Sequence, residues 1–242
     1  GGDSPTALNG TLFERWYVLV IVMLVYTISI ADRYVLSTLL KPISDEFHLT
    51  DKGAASLGIP LALFYVTMGI PLSWLSDRVN RVKLLATCVV IWSVMTTVCG
   101  YTRGYVDLLL ARIGVGIGEA GGTPACNSIV ADYFPAGRRA MATTIFALGA
   151  PIGAWLGSDI AGTISAQYGW RASFLVLGAP GVILAVILYL TIREPERGCL
   201  DKSEECDAPS VIETLKFLWT QKAAVHGMMG SGVSALWGWG LM

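Results

Sequence analysis

Long apolar runs separated by short polar connections dominate this chain. Six of them, at about 16–40, 54–76, 83–102, 106–131, 140–166 and 172–192, reach the roughly 20 residues that a helix needs to cross a hydrocarbon core of about 30 Å. Each predicts a transmembrane helix, and a seventh begins near Ala223 and runs to Met242. The one long polar stretch, Arg193 to Pro209, carries Glu194, Glu196, Asp201, Glu204, Glu205 and Asp207 and reads as a linker. Behind it, Ser210 with Glu213 three residues on makes a capping box. That box opens an amphipathic segment (Val211, Ile212, Leu215, Leu218, Trp219), which either lies on the membrane surface or extends the seventh span. The expected organisation is a polar segment over 1–15, a six-helix transmembrane domain over 16–192, a linker with an amphipathic helix over 193–222, and the start of a seventh helix over 223–242. Gly1 to Gly10 is polar and small, without the basic start or cleavage site of a signal peptide. Pro60, Pro71, Pro124, Pro151 and Pro180 fall in or near spans, where kinks help helices bend around a cavity.

Composition agrees with an all-α membrane protein: 54% of residues are apolar and 14% charged, against roughly a quarter charged in soluble domains. The formal net charge of -1 excludes nothing, but its distribution sets an expected orientation. With the N-terminus cytoplasmic, Arg15, Arg78, Arg81, Lys83, Arg138, Arg139, Arg193 and Arg197 lie inside, whereas the outer loops keep Lys41, Lys52, Arg103 and Arg171. The positive-inside rule favours that arrangement. Cys88, Cys99 and Cys126 lie in spans and Cys199 and Cys206 in a loop expected to be reducing; with no CxxC pair, no metal site or disulfide framework is indicated. His48 and His226 have no ligand constellation around them.

Four ionisable residues break the apolar pattern: Asp32 and Arg33 in the first run, Arg112 and Glu119 in the fourth. A charge at the bilayer centre costs about 2.5–3.5 kcal/mol even on the lenient insertion scale, so such residues need water, partners or a task. Arg112 and Glu119 are close to two helical turns apart and share a face, about 10 Å apart along the axis. Gly114, Gly118 and Gly122 form a small-xxx-small stripe on the other side, suited to close helix packing. Arg112 is expected to bridge Asp32 in one state and Glu119 in another, leaving a carboxylate ready to take a proton; the plainer alternative is a permanent ion-pair cluster holding helices in register. Arg33 points about 100° away from Asp32 and is the peripheral member. Charged residues in spans one and four suggest two repeats of three helices. Gly116, Gly118 and Gly121 satisfy GxGxxG, but inside a helical run without βα alternation or the required acid, so nucleotide binding is excluded. Tyr26, Phe64 and Tyr65 either line a cavity or pack.

Between spans two and three the chain reads Ser73-Trp-Leu-Ser-Asp77-Arg78-Val-Asn80-Arg81-Val-Lys83. This resembles the signature loop of the major facilitator superfamily, with Ser73 and Asn80 in place of its two glycines; asparagine can still adopt the left-handed turn expected there. Arg112 with Gly116 resembles the family's span-four motif. Asp132-Tyr-Phe-Pro135 with Arg138 and Arg139 resembles its loop between spans four and five, and Gly149-Ala-Pro151-Ile-Gly153 its span-five motif. Asp32-Arg33-Tyr34, Gly116-Ile-Gly118-Glu119-Ala120 and the Asp77–Arg81 loop are similar to the Spinster branch, whose members carry lysophospholipids and sphingosine phosphate.

The resemblance implies a six-helix major facilitator N-terminal bundle with a 3+3 inverted repeat, plus the start of the seventh helix of a twelve-span, multi-pass carrier. It implies proton-coupled alternating access with Asp32 and Glu119 carrying protons, Arg112 and Arg33 as counter-ions or substrate contacts, and Asp77, Arg78, Arg81, Asp132 and Arg138 as a cytoplasmic gate. The expected partners are the bilayer, a small-molecule or lipid substrate and the C-terminal half of the same carrier, with a monomer in the plasma or bacterial inner membrane. No nucleic-acid partner or cofactor is expected; with no ATP motif, a proton gradient is the expected driving force. An organic-anion (sugar acid)/proton symporter of the same superfamily shares the span-one and span-four charges. A receptor or scaffold has no use for a charge cluster at that depth, and no GxSxG, HExxH or triad suggests an enzyme.

Overall fold

A computed structural model of the chain describes residues 10–195, 217, 219–223, 225–227 and 229–230. Two compact units are separated near Glu204. The first holds nine helices among its described residues: α1 (Leu12–Phe47), α2 (Asp51–Ser56), α3 (Gly58–Ser76), α4 (Arg81–Cys99), α5 (Tyr105–Glu119), α6 (Gly122–Tyr133), α7 (Ala136–Ala147), α8 (Gly149–Tyr168) and α9 (Trp170–Thr191). In the second, the described residues are helical at Phe217, at Trp219–Thr220 and at most positions on to Gly230. The Ser210–Glu213 capping box, Cys199, Cys206 and much of the seventh apolar run lie outside the described residues.

Span one is longer than its apolar stretch. Thr11 and Glu14 make a reciprocal capping box at its start, and at its end His48 turns left-handed (φ 52°) with its N–H on the Ser44 carbonyl. Spans two, four and five, expected as continuous helices, are each broken. The breaks fall at Leu57, at Ala120–Gly121 and at Leu148, each just ahead of Pro60, Pro124 or Pro151. Proline offers no N–H to the carbonyl four residues back and its ring crowds that carbonyl; here those carbonyls belong to Ser56, Ala120 and Ala147. Among the described residues five helical stretches are long and apolar enough to cross a membrane, and the broken α5–α6 pair supplies span four.

Packing reveals the repeat. α1 lies along α8 as α5 lies along α3; α1 meets α9 as α5 meets α4; and α4 runs along α9. Exchanging spans one, two and three for four, five and six maps these contacts onto one another, and three spans per repeat make the relation an inverted one. Close approach falls at glycines: a Cβ on Gly157 of α8 would collide with the Ala31 carbonyl of α1, and one on Gly116 of α5 would come within 2.7 Å of the Leu61 carbonyl of α3. The predicted stripe on span four also packs, with Gly114 on Met95 and Gly118 and Gly122 on Trp92. α3 keeps Ile59, Leu63, Val66 and Ile70 exposed, an apolar face that this bundle leaves uncovered.

Candidate functional site

Mid-span, α1 presents Asp32 and Arg33 on faces about 100° apart, and each finds a different partner. Asp32 accepts from Thr96 Oγ1 of α4 (2.9 Å) and from Arg112 Nη1 of α5 (3.3 Å). Arg33 Nε donates to Glu119 Oε2 (2.8 Å), and its guanidinium lies 4.4 Å over the ring of Tyr65 from α3. Asp32, Arg112 and Glu119 are almost fully buried (2%, 1% and 1% exposed). Two acids and two guanidiniums balance, which keeps the cluster affordable in a low-dielectric interior. In this arrangement Arg112 bonds Asp32, the first of its two expected partners, whereas Arg33, taken as peripheral, is the partner of Glu119. Side chains on one helix face two turns apart stay apart, whereas Arg33 reaches across from the facing helix.

Glu119 is the last residue of α5, directly before the break set by Pro124. The carbonyl end of a helix disfavours a carboxylate, so Arg33 offsets both burial and helix dipole. Glu119 Oε1 and Arg112 Nε are buried without a hydrogen-bond partner. The quartet thus holds an acceptor and a donor that are not used internally.

At the end of the bundle where α1 begins, Arg81 forms a second cluster. It pairs with Asp132 of α6, donates to Glu194 Oε1 (2.7 Å), to Ser128 Oγ (2.7 Å) and to the Pro195 carbonyl (3.0 Å), and its side chain is 3% exposed. Glu194 Oε2 also accepts the Val82 N–H at 3.0 Å. The other members assigned to this gate are placed differently. Asp77 and Arg78 are exposed, with Arg78 stacked 4.1 Å over Trp74, and Arg138 is exposed as well. Arg139, not Arg138, turns back onto the carbonyls of Ala131 and Phe134 that end α6. Asn80 is not left-handed: its backbone is extended (φ -62°, ψ 114°) and its side chain caps α4 by accepting the Lys83 N–H at 2.8 Å. The loop position thus uses asparagine for its side-chain oxygen rather than for its tolerance of positive φ.

Sequence reasoning missed Thr96, Ser128 and Glu194 as members of these clusters. A hydroxyl in an apolar span carries no signal until its neighbour is known, and Glu194 stood among the linker acids. Of the three aromatics flagged, Tyr65 supports Arg33, whereas Tyr26 packs on Phe146 (4.7 Å).

Comparison with known proteins agrees with this architecture. The family model of the Major Facilitator Superfamily matches residues 22–242. An MFS-type efflux pump of Mycolicibacterium smegmatis is 31% identical over 180 residues, 74% of this chain and 42% of the pump. The sphingosine-1-phosphate transporter of Danio rerio is 26% identical over 219 residues, 85% of this chain and 43% of that protein. The crystal structure of a bacterial homolog of the human lysosomal transporter Spinster, inward-facing and unoccupied, superposes with a TM-score of 0.72 at 38% identity, covering 84% of this chain and 47% of that one. The chain spans less than half the length of these relatives. A bundle of paired three-helix repeats, matched along nearly all its length, is a membrane-embedded transporter fold and not an enzyme's: the chain belongs to the Major Facilitator Superfamily and resembles its Spinster branch.

Proposed function

We propose that this chain is the N-terminal half of a Spinster-like secondary carrier that moves an amphipathic lysolipid or sphingoid-phosphate-like molecule in exchange for, or together with, protons. The observation that carries this reading is the buried Asp32–Arg112/Arg33–Glu119 quartet, in which Glu119 keeps one carboxylate oxygen without a partner. A permanent structural cluster gains nothing from an orphaned acceptor, because burying one costs about 1–3 kcal/mol. A carrier uses it: a proton on Glu119 frees Arg33, whose stacked guanidinium can then hold the phosphate of a substrate while the lipid tail follows the apolar face of α3. Substrate sits between this bundle and a second half, and rocking exposes it alternately to each side. The N-terminus faces the cytoplasm by the placement of its arginines. The carrier works as a monomer, driven by the proton gradient without a cofactor.

The test is substrate-dependent proton uptake by the full-length protein in liposomes, with lysolipids set against sugar acids. Uptake with lysolipid that vanishes in Glu119→Gln supports the reading. Uptake with sugar acids alone replaces the substrate class, and coupling unchanged in Glu119→Gln discards the proton scheme.

A further inference from the structure

The far end of the bundle, where α1 finishes, holds a polar cluster that the transport reading does not use. Glu46 Oε2 accepts from the indole Nε1 of Trp170 (2.7 Å) and from Arg171 Nη1 (2.8 Å). Arg171 also donates through Nε and Nη2 to the Thr102 carbonyl, at 3.2 and 2.9 Å. Its guanidinium lies 4.2 Å over the ring of Trp170, which is itself buried edge-on against Phe47 and Phe174. The cluster ties the end of span one, the end of span three and the start of span six.

The Arg81 cluster ties the end of span four, the end of span six and the start of span three. Exchanging one for four and three for six turns each cluster into the other, with the helix-end positions in matching register and the two arginines one position apart at their helix starts. Glu46 and Asp132 are each the next-to-last residue of their helix, α1 and α6. Thr102 and Glu194 each lie three residues beyond the last residue of α4 and α9. Arg81 is the first residue of α4 and Arg171 the second of α9. The same alignment places Arg33 thirteen residues before Glu46 and Glu119 thirteen before Asp132, so the mid-span pair joins equivalent positions of the two repeats.

We propose that Glu46, Arg171 and the Thr102 carbonyl form an inter-repeat latch, the inverted counterpart of Arg81, Asp132 and Glu194, and that Glu46 and Arg171 are positioning residues for reorientation of the carrier. This rests on the alternating-access reading above. With a latch at each face the two three-helix repeats rock as one body, and the motion is delivered to the mid-span quartet rather than lost as splaying at one end. The far latch is the weaker: the Arg171 side chain is 34% exposed and has one carboxylate, whereas that of Arg81 is 3% exposed and has two.

The experiment uses the full-length carrier with Glu46→Gln, Arg171→Gln and the double variant. Net flux and counterflow of a radiolabelled lysophosphatidylethanolamine are measured in proteoliposomes, and thermal unfolding in detergent. Each single variant is expected to lower the maximal net flux about fivefold with KM within about twofold, and the double to be no slower than the slower single, because both act through one contact. Unfolding temperatures should show the same non-additivity. Flux losses that multiply in the double variant, or that appear in KM alone, would overturn the latch. A wild type that moves no lysolipid while the unfolding temperatures stay non-additive would overturn the transport reading and the positioning role with it, leaving the contact as a structural clasp.

Discussion

Neutralising Glu119 or Arg33 singly should harm the protein more than neutralising both. Arg33→Gln leaves a fully enclosed carboxylate with no guanidinium in hydrogen-bond contact, and Glu119→Gln leaves a guanidinium whose side chain is 15% exposed and still rests on Tyr65. Removing one partner of a buried ion pair costs about 3–5 kcal/mol. For Arg33→Gln the loss is capped at about 4 kcal/mol at pH 7, since an ordinary glutamic acid can be protonated there for 1.36 kcal/mol per unit over about 2.7 units. For Glu119→Gln the partial exposure and the Tyr65 face, worth about 1 kcal/mol, bring the expected loss down to about 2–3 kcal/mol. The double variant buries two amides able to bond each other and should lie within about 1 kcal/mol of wild type, a coupling of at least about 3 kcal/mol. Reversible unfolding of the full-length protein in detergent measures all four corners of the cycle. The double variant should fold yet fail to couple protons. Single variants within about 0.5 kcal/mol of wild type, or a double equal to the sum of its singles, would refute the reasoning.

Thr96→Val removes the hydroxyl that Asp32 accepts and should cost about 1.5–3 kcal/mol, read from the same unfolding curves, while Thr87→Val, whose hydroxyl only turns back to its own helix at Lys83, should cost far less. Gly153→Val should force α1 and α8 apart and cost at least about 1–3 kcal/mol, seen as loss of the monodisperse peak in size-exclusion chromatography; Gly162→Ala, with only Thr38 Cγ2 near at 4.0 Å, should be silent. Arg81→Lys keeps the charge but not the fork that reaches Asp132, Glu194, Ser128 and the Pro195 carbonyl together, so protease sensitivity of the segment after α9 should rise, and a variant as resistant as wild type would contradict the clustered geometry. Pro124→Ala should let α5 run into α6 and reduce transport at least severalfold without loss of folded protein; unchanged flux would show that the break beside Glu119 has no part in the cycle.

The sequence by itself determined the class of fold and the residues that need explaining. Hydrophobic length is a local property, so the spans could be counted from it, and Asp32, Arg33, Arg112 and Glu119 stood out because charge in an apolar run is costly wherever it points. The superfamily loop was legible for a similar reason: its chemistry is confined to a few consecutive residues. Which guanidinium meets which carboxylate was decided by the rotation of α1 against α5, which depends on glycine contacts with α8 and α3 that composition does not reveal. Tertiary packing likewise put Glu194 beside Arg81, 113 positions away, and left Arg78 and Arg138 exposed although they share the same short loops. The repeat itself shows almost no self-similarity along the chain. Helix packing constrains only small residues at crossing points and charges at helix ends, so two triplets can keep one geometry while nearly every other side chain differs.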